Sequence, residues 1–325
     1  MSVVTKIKSM ISSKMPTPIV ETLMALFGLY KNIRMPERKS CFGQNNPDNI
    51  FFVIRLYPPA TGYLANYIYI LGYVRYALGK NYIPVIDMEN YLTLYTEKDT
   101  GVENVWEYIF QQPTQFSLKD VYASKNVVLS NGSMSLYDPS LSQETIDWQV
   151  KIAAQIKFQD RVAQHLKNEY ECLLRGKGKV LGLPIRGTDY KAMRPKGHPI
   201  QADVEYLTAI IDDRKKKWDI DSLFIATEEE ETINILKVKY PELIYTKRER
   251  YENYSGSNLI TDTQCRGNTK YQTVLAYITE IYLLSQCSAL IGTKNNGLIT
   301  SILWNKLYSE KQFEHLELID LGVYT

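Results

Sequence analysis

The sequence predicts an α/β protein made of two doubly wound lobes that face a cleft. Three observations carry this reading: apolar strand-like runs alternate with helical periodicity in both halves, each run ends in a polar loop, and a long helical stretch separates the halves. The expected division is an N-terminal segment over 1–45, a first lobe with its linking helix over 46–174, and a second lobe over 175–325.

The first lobe opens near Asn49 with IFFVIRLY, an apolar run of the kind a parallel sheet buries on both faces, followed by the loop PPATGYLAN. A helix is expected from Tyr63 to Lys80, with Leu64, Tyr67, Ile68, Leu71, Val74 and Leu78 on one face. YIPVIDM, from Tyr82 to Met88, then reads as a second strand ending in Asp87, which completes a βαβ unit. Tyr95 to Ser130 is mixed, with a short strand and turn at Val127 to Gly132. Helical periodicity through Ile146, Val150, Ala153, Ile156, Val162 and Leu166 makes Ser142 to Leu174 the link.

In the second lobe, strands are expected at Lys179–Ile185, Ser222–Thr227, Leu243–Thr246 and Ser288–Thr293. Helices are expected at Val204–Lys217, Glu230–Lys239 and Lys270–Ser285, with one more begun by Asn295, Asn296 and Gly297. Both lobes are then Rossmann-like.

Composition removes several function classes. The 38 basic and 36 acidic residues leave a net charge of +2, without the footprint that nucleic-acid binding needs. Cys41, Cys172, Cys265 and Cys287 are scattered without metal-ligand spacing, which points to a reduced, cytoplasmic compartment. No run of about 18 uncharged apolar residues exists to span a membrane. Near the N-terminus, Lys6, Lys8 and Lys14 punctuate an apolar segment, with a second apolar stretch from Ile19 to Tyr30 and no cleavage site of the signal-peptide kind. Two readings fit: basic amphipathic helices lying on the membrane's inner face, or helices packed on the body.

Ligands of open α/β sheets bind at the carboxyl ends of strands, and three motifs fall there in the second lobe. In IRGTDYKAMRPKGHPI, Arg186 directly follows a strand and offers a planar fork to a diphosphate; Gly187 permits close backbone approach, and Thr188 and Asp189 add polar contacts. An Arg–Asp pair fastening the loop is the plainer account. In IATEEEE, one acid such as Glu228 is a donor-side candidate, although carboxylates here also favour the helix dipole. In ITEIYLLSQCSALIGTKNNG, Thr293, Asn295 and Asn296 stand where a helix N-terminus presents amides to phosphate, or where Asn simply caps it. By type and position, Asp189, His198 and Asp87 are the candidates for a general base.

Taken together, PIRGTDY at Pro184–Tyr190, HPI at His198–Ile200, ATEE at Ala226–Glu229 and LLSQCSALIGTKNN at Leu283–Asn296 resemble the α1,6-fucosyltransferase and rhizobial nodulation fucosyltransferase group. The first-lobe stretch from Gly62 to Tyr91 and WEYIFQQP at Trp106–Pro113 look similar to bacterial polysaccharide relatives of that group. The resemblance implies a GT-B-like fold and inverting, metal-independent transfer of L-fucose from GDP-fucose to a glycan or polysaccharide hydroxyl, with no cofactor beyond the GDP-sugar co-substrate. It implies Arg186 on the β-phosphate, Glu280 on the guanine base, and Thr293, Asn295 and Asn296 at the phosphates; Gly62, Asn66 and Asp87 in the first lobe are the acceptor-side candidates. Pro184 stands where the group has a histidine, and Arg194 falls near its proposed base, so the base is not inherited.

Two other readings compete. A metal-dependent transferase would use the pair Asp219 and Asp221, though these precede their strand, at the end away from the cleft. A catalytically inactive glycan- or sugar-nucleotide-binding protein would keep the fold without turnover.

Overall fold

The computed structural model describes residues 37–56, 62–90, 93–96, 104–130, 136–252 and 269–325, with Thr188 and Asp189 described by their backbone alone. The basic stretch expected to meet a membrane lies outside the described residues. No helix among those described is long and apolar enough to cross a membrane.

The first lobe holds β1 (Arg38–Ser40), β2 (Phe51–Ile54), α1 (Tyr63–Gly79), β3 (Ile83–Ile86), a 3-10 turn at Val105–Tyr108, α2 (Leu118–Val121) and β4 (Val127–Leu129). Its sheet runs β1-β4-β2-β3. β2 pairs in parallel with both β3 and β4, while β1 adds an antiparallel edge. Arg38–Ser40 therefore belongs to this lobe and not to the separate segment expected over 1–45. Pairing with β4 supplies these residues with ladder hydrogen bonds that a detached segment would take from water.

Two helices follow, α3 (Gln143–Ala153) and α4 (Asp160–Leu173), where one long helix was expected. The break has a packing cause. Ile156 and Phe158 turn into the core, and the chain between the helices pairs with the end of the 3-10 turn through the Gln111 amide to the Lys157 carbonyl at 2.8 Å and the Gln159 amide to the Ile109 carbonyl at 2.8 Å.

The second lobe comprises β5 (Val180–Ile185), α5 (Thr188–Met193), α6 (Val204–Lys217), β6 (Ser222–Thr227), α7 (Glu230–Lys239), β7 (Leu243–Ile244), α8 (Lys270–Ser285), β8 (Ala289–Thr293), α9 (Asn296–Tyr308) and β9 (His315–Ile319). All its strand pairs are parallel, in the order β7-β6-β5-β8-β9. β5, β6 and β8 are buried along their whole length, as the uninterrupted apolar runs demand.

The molecule is layered. On one outer face, α2 packs on Phe51, Val53 and Val85 of the first sheet; on the other, α6 and α7 pack on Leu181, Leu223, Ile225 and Ile291 of the second. Between the sheets lie α1, α3, α8 and α9, and a single apolar cluster runs through them from Phe52 and Ile54 to Phe224 and Leu290. α1 is consequently buried on nearly every side, with Arg75 and Leu78 among its few exposed residues.

Both sheets direct their carboxyl ends to one side. Thr96, beyond β3, accepts the Lys270 ammonium at the start of α8 at 3.0 Å. Tyr137, beyond β4, donates to Asn296 Oδ1 at the start of α9 at 2.7 Å. The described structure is thus a mixed α/β fold with largely parallel sheets, as expected.

Candidate active site

The order of the second sheet reverses between β5 and β8: the chain leaves β5 toward β6 and β7, then returns to place β8 on the other side. A crevice opens at the carboxyl end of such a switch point. Arg186 stands there as the first residue after β5, and Thr293, Asn295 and Asn296 stand there after β8.

Arg186 Nη1 bonds Glu228 Oε2 at 2.8 Å, with Glu228 supplied by the end of β6, and the guanidinium lies over the Tyr190 ring at 5.1 Å from its centroid. Side-chain exposures of 23% and 15% leave the pair in contact with the crevice. One partner of Arg186 is thus an acid from the neighbouring strand. Thr188 and Asp189 open α5, and their side chains lie outside the described residues. Gly187 has a packing reason: a Cβ there would overlap the Glu229 carboxylate, which is held by Lys191 at 2.9 Å and Thr232 at 2.8 Å.

His198 meets Tyr190 through Nδ1 at 3.0 Å, so the ring beneath Arg186 also carries the candidate base. The loop bearing His198 is anchored by the C-terminal tail, with the Tyr324 amide donating to the His198 carbonyl at 2.9 Å.

At β8, Thr293 is buried and its carbonyl accepts from Asn295 Nδ2 at 3.0 Å; Asn295 Oδ1 caps α9 by accepting from the Leu298 amide at 2.9 Å. The Asn296 side chain goes to Tyr137, which leaves the Asn296 and Gly297 amides without a partner among the described residues. Tyr277 reaches in from α8, its hydroxyl 3.0 Å from where a Cβ on Gly297 would stand. Burial pushes its phenol well above the ordinary range.

Glu280 is turned inward, contrary to its expected contact with a base. It is 2% exposed, with Oε1 accepting from Thr246 at 2.7 Å and Arg250 at 3.3 Å, and Oε2 from Arg248 at 2.7 Å. Two arginines placed just past β7 neutralise an acid that burial would otherwise penalise. Neither arginine was singled out in the sequence, although TKRER directly after LIY carried the signal: cations two apart at a strand end.

In the first lobe, Asp87 is wholly buried at the end of β3 and takes donors from Arg55 at 2.6 Å, Tyr122 at 2.6 Å, the Glu89 amide at 3.2 Å and Asn90 at 2.9 Å and 3.1 Å. This corrects its candidacy as a base, since every lone pair is engaged. Gly62 precedes α1 with φ −58°, and a Cβ there would meet nothing within 4 Å, so the backbone does not demand glycine. Asn66 is buried one turn on. Asp221 accepts the Lys179 amide at 2.7 Å at the amino end of β6, so the Asp219/Asp221 pair sits on the edge opposite the crevice.

No family model matches the sequence, and no curated protein matches it. Solved structures do. Among them are fucosyltransferases. One is a NodZ alpha-1,6-fucosyltransferase soaked with GDP-fucose, at 12% identity and a TM-score of 0.48, covering 79% of this chain and 93% of that one. A second is POFUT1 in complex with GDP-fucose, at 10% identity and 0.46, covering 84% and 98%. A third is a mutant of Arabidopsis thaliana FUT1 in complex with GDP, at 9% identity and 0.46, covering 82% and 71%.

Proposed function

We propose that the protein is a glycosyltransferase that moves L-fucose from GDP-fucose to a hydroxyl of a glycan or polysaccharide, with inversion and without a metal. The observation that carries this reading is Arg186 at the switch point, braced by Glu228, with α9 beginning after the adjacent strand β8. Breaking the glycosidic bond to a diphosphate builds negative charge on the departing oxygens. A fixed guanidinium and the helix-end amides of Asn296 and Gly297 oppose that charge where a divalent cation otherwise would. The sugar bears the complementary positive charge and is open to attack by an acceptor held from the first lobe. His198, supported by Tyr190, is the described group best placed to take the acceptor proton.

The test is the melting temperature with GDP, UDP, dTDP or ADP, each measured in EDTA. A ligand bound only by the native state at a hundred times its Kd adds about 2.7 kcal/mol of stability, a rise of several degrees. GDP is expected to give that rise and the others much less. A larger shift with UDP or dTDP would sink the GDP assignment. A GDP shift that appears only with Mn²⁺ or Mg²⁺ would restore the metal-dependent reading.

A further inference from the structure

The first lobe has a switch point of its own. From β2 the chain crosses to β3 on one side and returns to β4 on the other, so the crevice of this sheet lies between the carboxyl ends of β2 and β4. The residue directly after β2 is Arg55. Opposite it, after β4, is Ser130, whose hydroxyl accepts the Arg55 amide at 2.8 Å and donates to its carbonyl at 2.9 Å.

Arg55 and Arg186 are built alike. Each follows an inner strand of its sheet, each is held by a carboxylate from the end of the next strand in the chain (Asp87 beyond β3, Glu228 beyond β6), and each lies over a tyrosine ring, Tyr122 at 5.6 Å or Tyr190 at 5.1 Å. In the first lobe the phenol also closes the frame, accepting from Arg55 Nη2 and donating to Asp87, both at 2.6 Å.

Fastening the loop uses only part of Arg55. Asp87 Oδ1 accepts from the Glu89 amide and two nitrogens of Asn90, and Oδ2 accepts from Tyr122 and Arg55 Nε, so the guanidinium is the counter-charge of this buried carboxylate through Nε and meets Tyr122 through Nη2. Arg55 Nη1 has no partner among the described residues, and 31% of the side chain is exposed. An arginine oriented through Nε and Nη2, with its remaining edge in water at a switch point, has the form of a site for an anion.

We propose that Arg55 binds an anionic group, a carboxylate or a phosphate, on the acceptor, so that the second substrate is an acidic saccharide. This rests on the reading of the second lobe as the donor side. An exposed guanidinium edge recognises either anion, and each gains over a neutral hydroxyl through a charge-assisted bond.

The experiment measures direct binding of methyl β-D-glucuronide, glucose 6-phosphate and methyl β-D-glucoside to the full chain by calorimetry, with GDP present. At least one charged probe is expected to bind about tenfold or more tighter than the neutral glucoside, and the tighter of the two names the anion. Arg55→Gln paired with Asp87→Asn, which leaves no uncompensated buried carboxylate, is expected to abolish that preference. The GDP shift in melting temperature reports separately on the donor side. Equal binding of charged and neutral probes overturns the proposal, as does a preference that survives the double substitution. If the double variant does not fold, Arg55→Lys decides: a preference reduced at least about threefold by loss of the fork supports it, and an unchanged one overturns it. A charged-probe preference in a protein that ignores GDP would leave the anion site standing and remove the donor reading instead.

Discussion

Lysine at position 186 would keep a positive charge at the end of β5 and lose the planar fork that lets one side chain hold Glu228 and still meet two oxygens of a diphosphate. The pair is partly solvated, so the change should cost folding no more than about 1 kcal/mol. Transition-state charge is another matter, because removing a preorganised donor typically costs on the order of 10²–10³ in turnover. Arg186→Lys is therefore expected to melt near the parent temperature and to transfer at least about 10² more slowly, with Arg186→Ala slower still. Glu228→Gln is the comparison. If Arg186 merely fastens its loop, the Gln variant would match the Lys variant in rate, and a Lys variant with near-normal transfer would remove the residue on which the functional reading most depends. The place of Arg186 was legible in the sequence, because it directly follows an apolar run that becomes β5. Its partner was not: Glu228 begins a run of four glutamates, and only the packing of β6 against β5 selects among them.

Among the elements, α8 shows how a helix can place a charge inside the protein. Its buried residues include Ile278, Ile281 and Leu284, and Glu280 rides among them, 2% exposed. The carboxylate is tolerable there because Arg248 and Arg250 reach it from beyond β7. Arg250 has other acceptors in the carbonyls of Thr227 at 3.2 Å and Thr246 at 2.9 Å, whereas Arg248 depends on Glu280 and has a buried Nε with no partner. Glu280→Gln should accordingly cost about 3–5 kcal/mol, the range for breaking a buried pair and stranding its partner charge. Urea unfolding measures it, through a lower midpoint at unchanged slope; a change under about 0.5 kcal/mol, ordinary for surface sites, would mean that water already satisfies the arginines. The helical run from Lys270 to Ser285 was legible in the sequence. The meaning of its acid was not, since the partner arginines lie about thirty positions away and meet it only after β7 is laid beside β6. The same non-locality split the expected linking helix, whose break is set by contacts of Lys157 and Gln159 with the 3-10 turn.

At the scale of the whole molecule, two lobes legible as separate α/β units turn out to share one interior. Trp304 on α9 is completely buried, donates from its indole to the Tyr67 hydroxyl on α1 at 3.2 Å, and sets its ring edge-to-face with Phe158 at 5.1 Å and Tyr67 at 5.9 Å. Phe110, from the first lobe, stacks with Tyr67 at 5.1 Å and Phe158 at 5.4 Å, so the aromatic cluster joins both halves through the link between them. Alternation of strands and helices reveals each sheet, but it says nothing about whether the helices on one face serve one sheet or two. Here α1, α3, α8 and α9 are that shared layer, and neither half can present it to water without exposing a large apolar surface. The protein is therefore expected to unfold as one cooperative unit, with a single calorimetric peak whose van't Hoff and calorimetric enthalpies agree. Trp304→Ala should lower that whole peak by the equivalent of about 3–5 kcal/mol, the usual cost of emptying a large aromatic site. It should not split the peak, because the cavity opens in the layer common to both sheets. Two peaks in the parent protein, or a Trp304→Ala trace in which one part moves and another stays, would mean that the lobes are held together by an interface weaker than their separate cores. A single peak has a consequence for the crevice. GDP bound only at the carboxyl end of the second sheet would then raise the melting temperature of the first lobe by the same amount, because ligand energy is shared across whatever unfolds together.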